Sequence, residues 1–385
     1  MTIEKGVVEA AERAISSTLD MRAALSDPIR LESPNNVFRA QMSPQVADLG
    51  SSVVVKNVTM TEWNRSGSAE SEQFLNEWTV LDHLEESGVT PRVIAADRQS
   101  SLMVIEDFGE CPTLEDLLND PEGDDVRSTL ARCGEALATV HGTGIGREAG
   151  FLDAQAARST TSPHSDSIVD FRFERRDLFS ESFDVIGVDV HPRFWESVAI
   201  LEQAIHDEST FRSLVHGDAG PQNFLIRDED VRMIDFEFGV YLNVMCDLGG
   251  ARVGFPQTWE TRSVSADDAR IFEDAYRRVA SQWIPDLEDD HRFTTNLLFG
   301  AGHWALNRWA GGWRSDFRNM MHGEDRDDGE LRRSHYATLW TAFINAAAES
   351  DELGPVVSTL TSGLEILQGK WPDMKPLGPY PALAI

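Results

Sequence analysis

Apolar residues recur along the first third of the chain with two different periods. The stretch VVEAAERAISSTL at residues 7–19 spaces them as an amphipathic helix does, and so do residues 70–85, where Phe74 and Leu81 share one stripe. The segments PIRLES, NVFRAQ, VADLGSSVVVKNV and RVIAADRQSSLMVIEDFG carry short apolar runs between turn residues, which is typical of strands and hairpins. The pattern predicts a small α+β lobe within residues 1–110.

Helical spacing dominates the remaining chain. A short helix is expected in TLEDLL, with Thr113 as its N-cap, because a threonine side chain accepts hydrogen bonds from the first backbone N–H groups of a helix. Residues 148–185 are expected to be rich in loops. Further helices are expected at residues 126–141, 192–207, 266–283, 292–310 and 335–366.

These patterns predict an α+β fold of two lobes. The first is a small antiparallel-sheet N-lobe at residues 1–110, and the second is a larger, mainly helical C-lobe at residues 111–385. A length of 385 residues agrees with two lobes, because it is long for one hydrophobic core. No flexible linker composition separates the lobes, so we expect a hinge near residue 110.

Composition narrows the class of protein. An apolar content of 41% is that of a globular protein, and no apolar run approaches the roughly eighteen residues that a membrane span requires. The first residues lack the basic-then-apolar pattern of a signal peptide. The three cysteines, Cys111, Cys133 and Cys246, have neither metal-ligand spacing nor a disulfide framework. We therefore expect a soluble, cytoplasmic protein with no membrane partner.

Charged residues are strongly unbalanced. The formal net charge of −31 argues against a protein that holds nucleic acid through its phosphates. Two interpretations of the acidic charge stay open: a solvated surface, as in salt adaptation, or a set of carboxylates that attract a cationic substrate.

Lysine is rare in this chain, and its placement is informative. Only four of the 34 basic residues are lysines, and Lys56, which ends the apolar run SSVVVK, is the only one between residues 6 and 369. A lysine ammonium is a compact charge on a flexible stem, which suits phosphate binding and which arginine does not replace freely. Glu77 lies beside the apolar stripe of the second helix, and we expect it to pair with Lys56.

The stretch HGDAGPQNFLIRDEDVRMIDFE at residues 216–237 places short oxygen-bearing side chains around an expected hairpin. Such groups are costly to bury unless a cation or a proton-transfer task compensates them. Asp218 and Asn223 have the D-x-x-x-x-N spacing of a kinase catalytic loop, and Asp235 begins a metal-binding tripeptide at a compatible distance. Phosphoryl transfer needs a carboxylate to align the attacking hydroxyl, oxygen ligands for Mg²⁺, and a cation on the nucleotide phosphates. Asp218, then Asn223 with Asp235, then Lys56 fill these roles.

With these motifs the chain resembles the aminoglycoside phosphotransferase and choline kinase family, small-molecule relatives of the protein kinases. The resemblance covers roughly residues 30–255 in order. It rests on His216-Gly217-Asp218 with Asn223, on Ile234-Asp235-Phe236-Glu237, on the Lys56 strand with the Glu77 helix, and on LMVIEDFG at the lobe junction. It implies a protein-kinase-like fold with ATP in the cleft.

The resemblance also implies roles for particular residues. The residue that matches Asp218 is the catalytic base in the family, and those that match Asn223 and Asp235 bind Mg²⁺. The residue that matches Glu237 lies by the metals.

Nucleotide contacts are implied in the same way. The family's hinge, whose backbone holds adenine, matches Glu106 through Phe108. Its phosphate-covering loop matches Ser33 to Asn36, so that Ser33, Asn35 and Asn36 would contact phosphate. The catalytic loop departs from the family, because Ala219 and Gly220 stand where a larger apolar residue and a histidine are frequent.

The implied activity is Mg·ATP-dependent transfer of the γ-phosphoryl group to a hydroxyl of a small molecule, such as an aminoglycoside, an amino alcohol or a sugar. One alternative is a pseudokinase or nucleotide-binding regulatory module without turnover. Another is a metal-dependent hydrolase built on His216, Asp218 and Asp235, which would leave Lys56 unexplained. Protein kinase activity is disfavoured, because no activation loop and no Ala-Pro-Glu follow Glu237.

Trp304, Trp309 and Trp313 recur with near-helical spacing. This spacing favours core packing. A wall for a sugar or amine substrate is the other interpretation.

Overall fold

The fold is known from a computed structural model, which describes residues 3–31, 36–46, 50–57, 69–122, 125–158, 176–207, 209–256, 262–310, 321–322 and 329–384. Its helices are α1 (Lys5–Leu19), α2 (Ala69–His83), α3 (Leu114–Asn119), α4 (Val126–Gly144), α5 (Glu148–Arg158), α6 (Arg176–Ile186), α7 (Phe194–His206), α8 (Met245–Arg252), α9 (Ala266–Ala280), α10 (Asp290–Ala310), α11 (Gly329–Ala346) and α12 (Gly354–Lys370). Its strands are β1 (Ala24–Arg30), β2 (Asn36–Val46), β3 (Gly50–Asn57), β4 (Val93–Asp97), β5 (Leu102–Glu106), β6 (Arg212–Val215), β7 (Phe224–Arg227), β8 (Asp230–Met233), β9 (Val240–Asn243), β10 (Arg262–Ser263) and β11 (Gly378–Pro379). In these ranges no helix is long and apolar enough to cross a membrane.

The first of two compact units contains a five-stranded antiparallel sheet. Its strand order is β1-β2-β3-β5-β4, so β3 lies in the centre. On β3, Lys56 is paired with Val37 of β2 on one side and with Met103 of β5 on the other. The expected hairpins are therefore confirmed, and the central strand carries the lysine.

Helix α1 covers one face of this sheet. Its residues Ala11 and Ile15 share a buried core with Val53 and Val55 of β3. Successive side chains of a strand point to opposite faces, so the alternation that sends Val53 and Val55 toward α1 sends Lys56 to the other face. Lys56 therefore lies on the face of the sheet opposite to the core that the sheet forms with α1.

This unit is assembled from three stretches of the chain: Met1–Cys111, Gly146–Ser165 and Leu225–Gly239. Helices α2 and α5 pack against each other within it, and β7 and β8 form a hairpin. The backbone N–H of Met233 on β8 donates to the carbonyl of Val89, 2.8 Å away, in the segment before β4. Stretches that are distant in sequence therefore complete the unit.

The second unit comprises Pro112–Ile145, Asp166–Phe224 and Val240–Ile385. It is mainly helical, with α4 packed along α9 and α8 packed against α10. The strands β6 and β9 pair antiparallel in it, and β10 pairs parallel with β11. Thr113 is the N-cap of α3 as expected, since its side chain accepts from the backbone N–H of Asp116.

The predicted α+β fold class is confirmed by this sheet and by the helices that follow it. The loop-rich prediction for residues 148–185 was wrong where α5 and α6 form. Helix α5 buries Phe151 together with a polar residue, Gln155, so its inward face does not stand out as an apolar stripe. The range 335–366, where helical spacing was expected throughout, contains parts of two helices, α11 and α12, with residues 347–353 between them.

Candidate functional site

Lys56 lies in a buried cluster of opposite charges. Its Nζ is 2.6 Å from Oε2 of Glu77 on α2, and the two side chains are only 8% and 3% exposed. The ammonium also donates to Oδ1 of Asp235. The expected ion pair with Glu77 is therefore present, and the structure adds Asp235 to it.

The surroundings of Lys56 favour its charged form. Burial by itself disfavours an ammonium and lowers its pKa. The charges of Asp235, Glu77 and Glu237 and the hydrogen bond to Asp235 outweigh burial and raise the pKa of Lys56 above its ordinary value. The lysine is therefore a permanent positive charge at neutral pH.

The segment from Asp235 to Gly239 is fixed by the helix that carries Glu77. Asp235 has φ of 69°, in the left-handed region that few residues other than glycine and asparagine or aspartate adopt. The backbone N–H of Phe236 donates to the Glu77 carboxylate. The side-chain amide of the neighbouring Asn76 donates to the carbonyls of Glu237 and Gly239, at 3.1 and 2.9 Å.

Gly239 permits this close approach. A Cβ atom there would lie 2.6 Å from the side chain of Val80 on α2. Sequence reasoning missed Asn76, because an isolated asparagine in a helical pattern gives no signal of burial.

The segment from His216 to Asn223 follows β6 in the helical unit. The backbone N–H of Asp218 donates to Nδ1 of His216 at 3.2 Å. Nδ2 of Asn223 donates to the Asp218 carbonyl at 2.8 Å and lies 3.5 Å from Asp218 Oδ2. The D-x-x-x-x-N spacing therefore closes the loop on itself, and the half-buried Asp218 lies within it.

A buried carboxylate, that of Asp247, holds the backbone at the start of this loop. Oδ2 and Oδ1 of Asp247, on α8, accept the backbone N–H groups of His216 and Gly217 at 2.6 and 2.9 Å. Nε2 of His141 lies 3.0 Å from Asp247 Oδ2, and Tyr276 holds the other ring nitrogen of His141 at 2.8 Å. Burial alone would raise the pKa of Asp247, but the contacts with His141 and His216 hold that pKa below its ordinary value.

Replacement of Asp247 by asparagine is expected to destabilise the loop. The asparagine side chain would place its own N–H group against a backbone N–H that now donates to a carboxylate oxygen. The substitution would also remove a fully buried negative charge that several hydrogen-bond donors stabilise. Breaking such a buried arrangement costs about 3 kcal/mol in free energy of unfolding. Denaturant unfolding of Asp247→Asn against the parent protein measures this loss, and an unchanged midpoint would contradict the anchoring role.

The expected hinge, Glu106 to Phe108, is held at several points within the sheet-containing unit. Arg39 pairs with Asp107 at 2.7 Å and donates to the Gly109 carbonyl at 2.6 Å. Arg227, on the β7–β8 hairpin, donates to the Phe108 carbonyl at 2.8 Å and stacks on the Phe108 ring at 4.1 Å. Glu106 faces Arg92 at 3.5 Å.

Gly220 is one of the two positions at which the catalytic loop departs from the family, and the side chain of Gln222 lies beside it. A Cβ at Gly220 would lie 2.4 Å from Oε1 of Gln222, so the Gln222 amide occupies the space that a larger residue would take.

Other expected residues fall in different places. Asn36 is buried at the start of β2, where its Oδ1 accepts from Arg30 at 3.1 Å, whereas Ser33 and Asn35 lie outside the described residues. Trp304 is buried and donates to the Cys246 carbonyl, which agrees with core packing. The side chains of Trp309 and Trp313 are outside the described part.

The metal-binding candidates divide between the two units. Asp235 and Glu237 belong to the sheet-containing unit, and Asn223 belongs to the helical unit. Within the described residues, no group of three or more His, Cys, Asp or Glu side chains could hold a metal by itself. The carboxylate oxygens of Asp235 and Glu237 are hard ligands of the type that Mg²⁺ prefers, and Mg²⁺ usually takes its remaining ligands from water and substrate phosphates. The residues present therefore fit magnesium.

Several solved structures are distantly similar to this chain. They include a choline/ethanolamine kinase family protein from Mesorhizobium loti (16% identity, 93% of this chain and 99% of that chain, TM-score 0.49) and a choline kinase from Streptococcus pneumoniae (14%, 88% and 98%, 0.48). A putative fructosamine-3-kinase from Haemophilus somnus is 12% identical over 88% of this chain and 98% of that chain, with a TM-score of 0.46. No curated protein sequence matches this chain significantly.

A family model gives the decisive comparison. The model described as the phosphotransferase enzyme family matches residues 47–281, which is more than half of the 385 residues. The match includes the Lys56 strand, the Glu77 helix, the Asp218 loop and the Asp235 segment. The chain therefore belongs to the phosphotransferase enzyme family, as those motifs predicted.

Proposed function

We propose that this protein is a Mg·ATP-dependent small-molecule kinase, which moves the γ-phosphoryl group of ATP to a hydroxyl of its acceptor. Family membership supports phosphoryl transfer in general. The observation that carries the more specific proposal is the buried ammonium of Lys56, held by Glu77 and Asp235. Kinases direct a lysine held in this way at the nucleotide phosphates.

The nucleotide would bind to residues of the sheet-containing unit. Lys56, supported by Glu77, would contact the α- and β-phosphates. The backbone of Glu106 to Phe108 would hold adenine, and Ser33, Asn35 and Asn36 would cover the phosphates. The arginines that hold Asp107, Phe108 and Gly109 support the adenine site, because a backbone that is already ordered loses little conformational freedom on binding.

Asn223, Asp235 and Glu237 would hold Mg²⁺. The metal, when bound, neutralises charge on the β- and γ-phosphates. The support for this set is its oxygen chemistry and the fixed backbone of the Asp235 segment, where Asn76 binds two carbonyls.

Asp218 would act as the catalytic base. Its carboxylate would orient the acceptor hydroxyl and take the proton as the hydroxyl oxygen bonds to the γ-phosphorus and ADP departs. The closed loop supports this role, because Asn223 and Asp247 fix the backbone on either side of Asp218. A base whose backbone is fixed by its own loop is held close to the orientation that the reaction needs.

The acceptor would be a small hydroxylated molecule: an aminoglycoside, an amino alcohol or a sugar. The net charge of −31 supports a cationic member of this group and gives no support for nucleic acid. The protein would act in the cytoplasm, where ATP is available.

ADP release from ATP tests the proposal directly. Purified protein is incubated with ATP and a panel of aminoglycosides, amino alcohols and sugars, with and without EDTA. We expect ADP release that requires both Mg²⁺ and one class of acceptor. Mg·ATP binding without turnover on any acceptor would favour the regulatory alternative, and an absence of ATP binding would overturn the proposal.

A further inference from the structure

The side chain of Asn76 forms hydrogen bonds with the backbone of the Asp235 segment, and no motif in the sequence predicts this contact. It is 2% exposed, and its amide nitrogen donates to two carbonyls two residues apart, those of Glu237 and Gly239. The next residue along α2 is Glu77, which pairs with Lys56 and accepts from the N–H of Phe236. Adjacent residues of α2 therefore hold both the lysine and the Asp235 segment.

Asn76 is itself oriented by a residue of α5. Nε2 of Gln155 donates to Asn76 Oδ1 at 2.7 Å, and Gln155 is 6% exposed. An asparagine amide can rotate, and this bond fixes which end is the donor. Both donors of Asn76 then point to the carbonyls that need them.

The same helix contacts α2 at a second place. Arg158 of α5 pairs with Asp82, and its guanidinium lies 4.5 Å from the centre of the Trp78 ring. Helix α5 therefore supports α2, and Gln155 connects that support to the Asp235 segment through its bond to Asn76.

We infer that Asn76, oriented by Gln155, is a positioning residue that sets the backbone of Asp235 to Glu237 for metal binding. Asp235 has a left-handed φ of 69°, which is uncommon and persists only where the surrounding contacts determine it. The two bonds from Asn76 lie two and four residues after Asp235, and they are buried, so water does not replace them easily. Residues that support metal ligands typically change metal affinity or activity by about 10- to 100-fold when they are replaced.

The inference rests on the proposed function for the metal, but its first consequence needs neither metal nor nucleotide. In the protein alone, Asn76→Ala is expected to speed amide hydrogen exchange in the peptide that spans Phe236 to Gly239 by roughly ten-fold or more, because local opening of that turn becomes easier. Peptides from β6 and the Asp218 loop in the same sample should be unchanged.

The second consequence concerns Mg²⁺. The Mg²⁺ concentration that gives half-maximal ATP binding should rise about 10- to 100-fold in Asn76→Ala, while ATP binding without metal stays near that of the parent protein. Gln155→Met removes only the bond that orients Asn76, so it should shift both readouts in the same direction by a smaller factor. It also provides a milder variant if Asn76→Ala fails to fold.

Thr79→Val is the matched control. Thr79 lies on the same helix and is 1% exposed, and among the described residues its hydroxyl bonds to the Leu75 carbonyl of its own helix. The control should leave both the exchange of Phe236 to Gly239 and the Mg²⁺ dependence unchanged. Adding Gln155→Met to Asn76→Ala should produce no further loss, since Gln155 acts through Asn76.

The outcomes separate this inference from the proposed function. If the parent protein binds ATP with Mg²⁺ but Asn76→Ala leaves hydrogen exchange and Mg²⁺ dependence unchanged, the positioning role is wrong and the kinase proposal stands. If the losses from Gln155→Met and Asn76→Ala add, Gln155 does not act through Asn76. If the parent protein shows no Mg²⁺-dependent ATP binding, both fail together.

Discussion

Asp218→Asn is expected to abolish turnover while it leaves the fold intact. Asparagine keeps the size of the side chain and both backbone contacts of residue 218, those to His216 and Asn223, but it cannot accept a proton. Loss of a positioned general base costs about 10² to 10⁴ in rate. The measurement is kcat for ADP release with the best acceptor of the panel. Binding of Mg·ATP should change little, because the base acts on the acceptor.

Asp230→Asn is the control for this experiment. Asp230 is exposed at the start of β8, twelve residues from Asp218, and it receives the same chemical change. We expect its kcat to equal that of the parent protein. A kcat for Asp218→Asn within a few-fold of the parent value would remove Asp218 from the role of base.

Lys56→Met should have the second largest effect, on both activity and stability. Methionine fills a similar volume but leaves Glu77 without its cation in a site where the carboxylate is only 3% exposed. Removal of one partner from a buried ion pair typically costs about 3 to 5 kcal/mol in free energy of unfolding. Loss of the charge directed at the phosphates should also lower kcat/KM for ATP by about 10² to 10³, as for other preorganised donors.

A double variant separates the two effects of Lys56→Met. Adding Glu77→Gln removes the orphaned buried charge, so the free energy of unfolding should partly recover, but kcat/KM for ATP should not. Lys370→Met controls for the change in net charge, because Lys370 is exposed at the end of α12. Full recovery of kcat/KM in the double variant would mean that Lys56 acts only on stability.

The parts of the site that sequence predicted are those with strict spacing or unusual composition. Lys56 stands alone among arginines at the end of an apolar strand, and Asp218 with Asn223 has a spacing that closes a loop. Both signals are local, so they survive without knowledge of the tertiary structure. The strands around Lys56 were predicted for the same reason, because alternation and turns are short-range properties.

The supporting residues could not be predicted, because their role depends on contacts between distant stretches of chain. Asn76 and Gln155 are 79 residues apart, and Asp247 and His141 are 106 apart. Asn76, Gln155 and Asp247 are polar residue types, and solvent exposure is the usual outcome for such residues. Helix α5 was missed on the same ground, since its buried face includes Gln155.

The separation between Lys56 and Asp235 has a consequence for how the chain folds. The two residues are 179 positions apart, and Gln155 and the β7–β8 hairpin also enter the sheet-containing unit late. During synthesis the strands of the sheet emerge first. Lys56 on β3 then still lacks Asp235, and Glu77 on α2 still lacks the backbone N–H of Phe236. Long-range contacts of this kind slow folding and leave early segments exposed. The N-terminal segment alone is therefore an incomplete folding unit. All of its contacts can form only after the ribosome has synthesised the Asp235 segment.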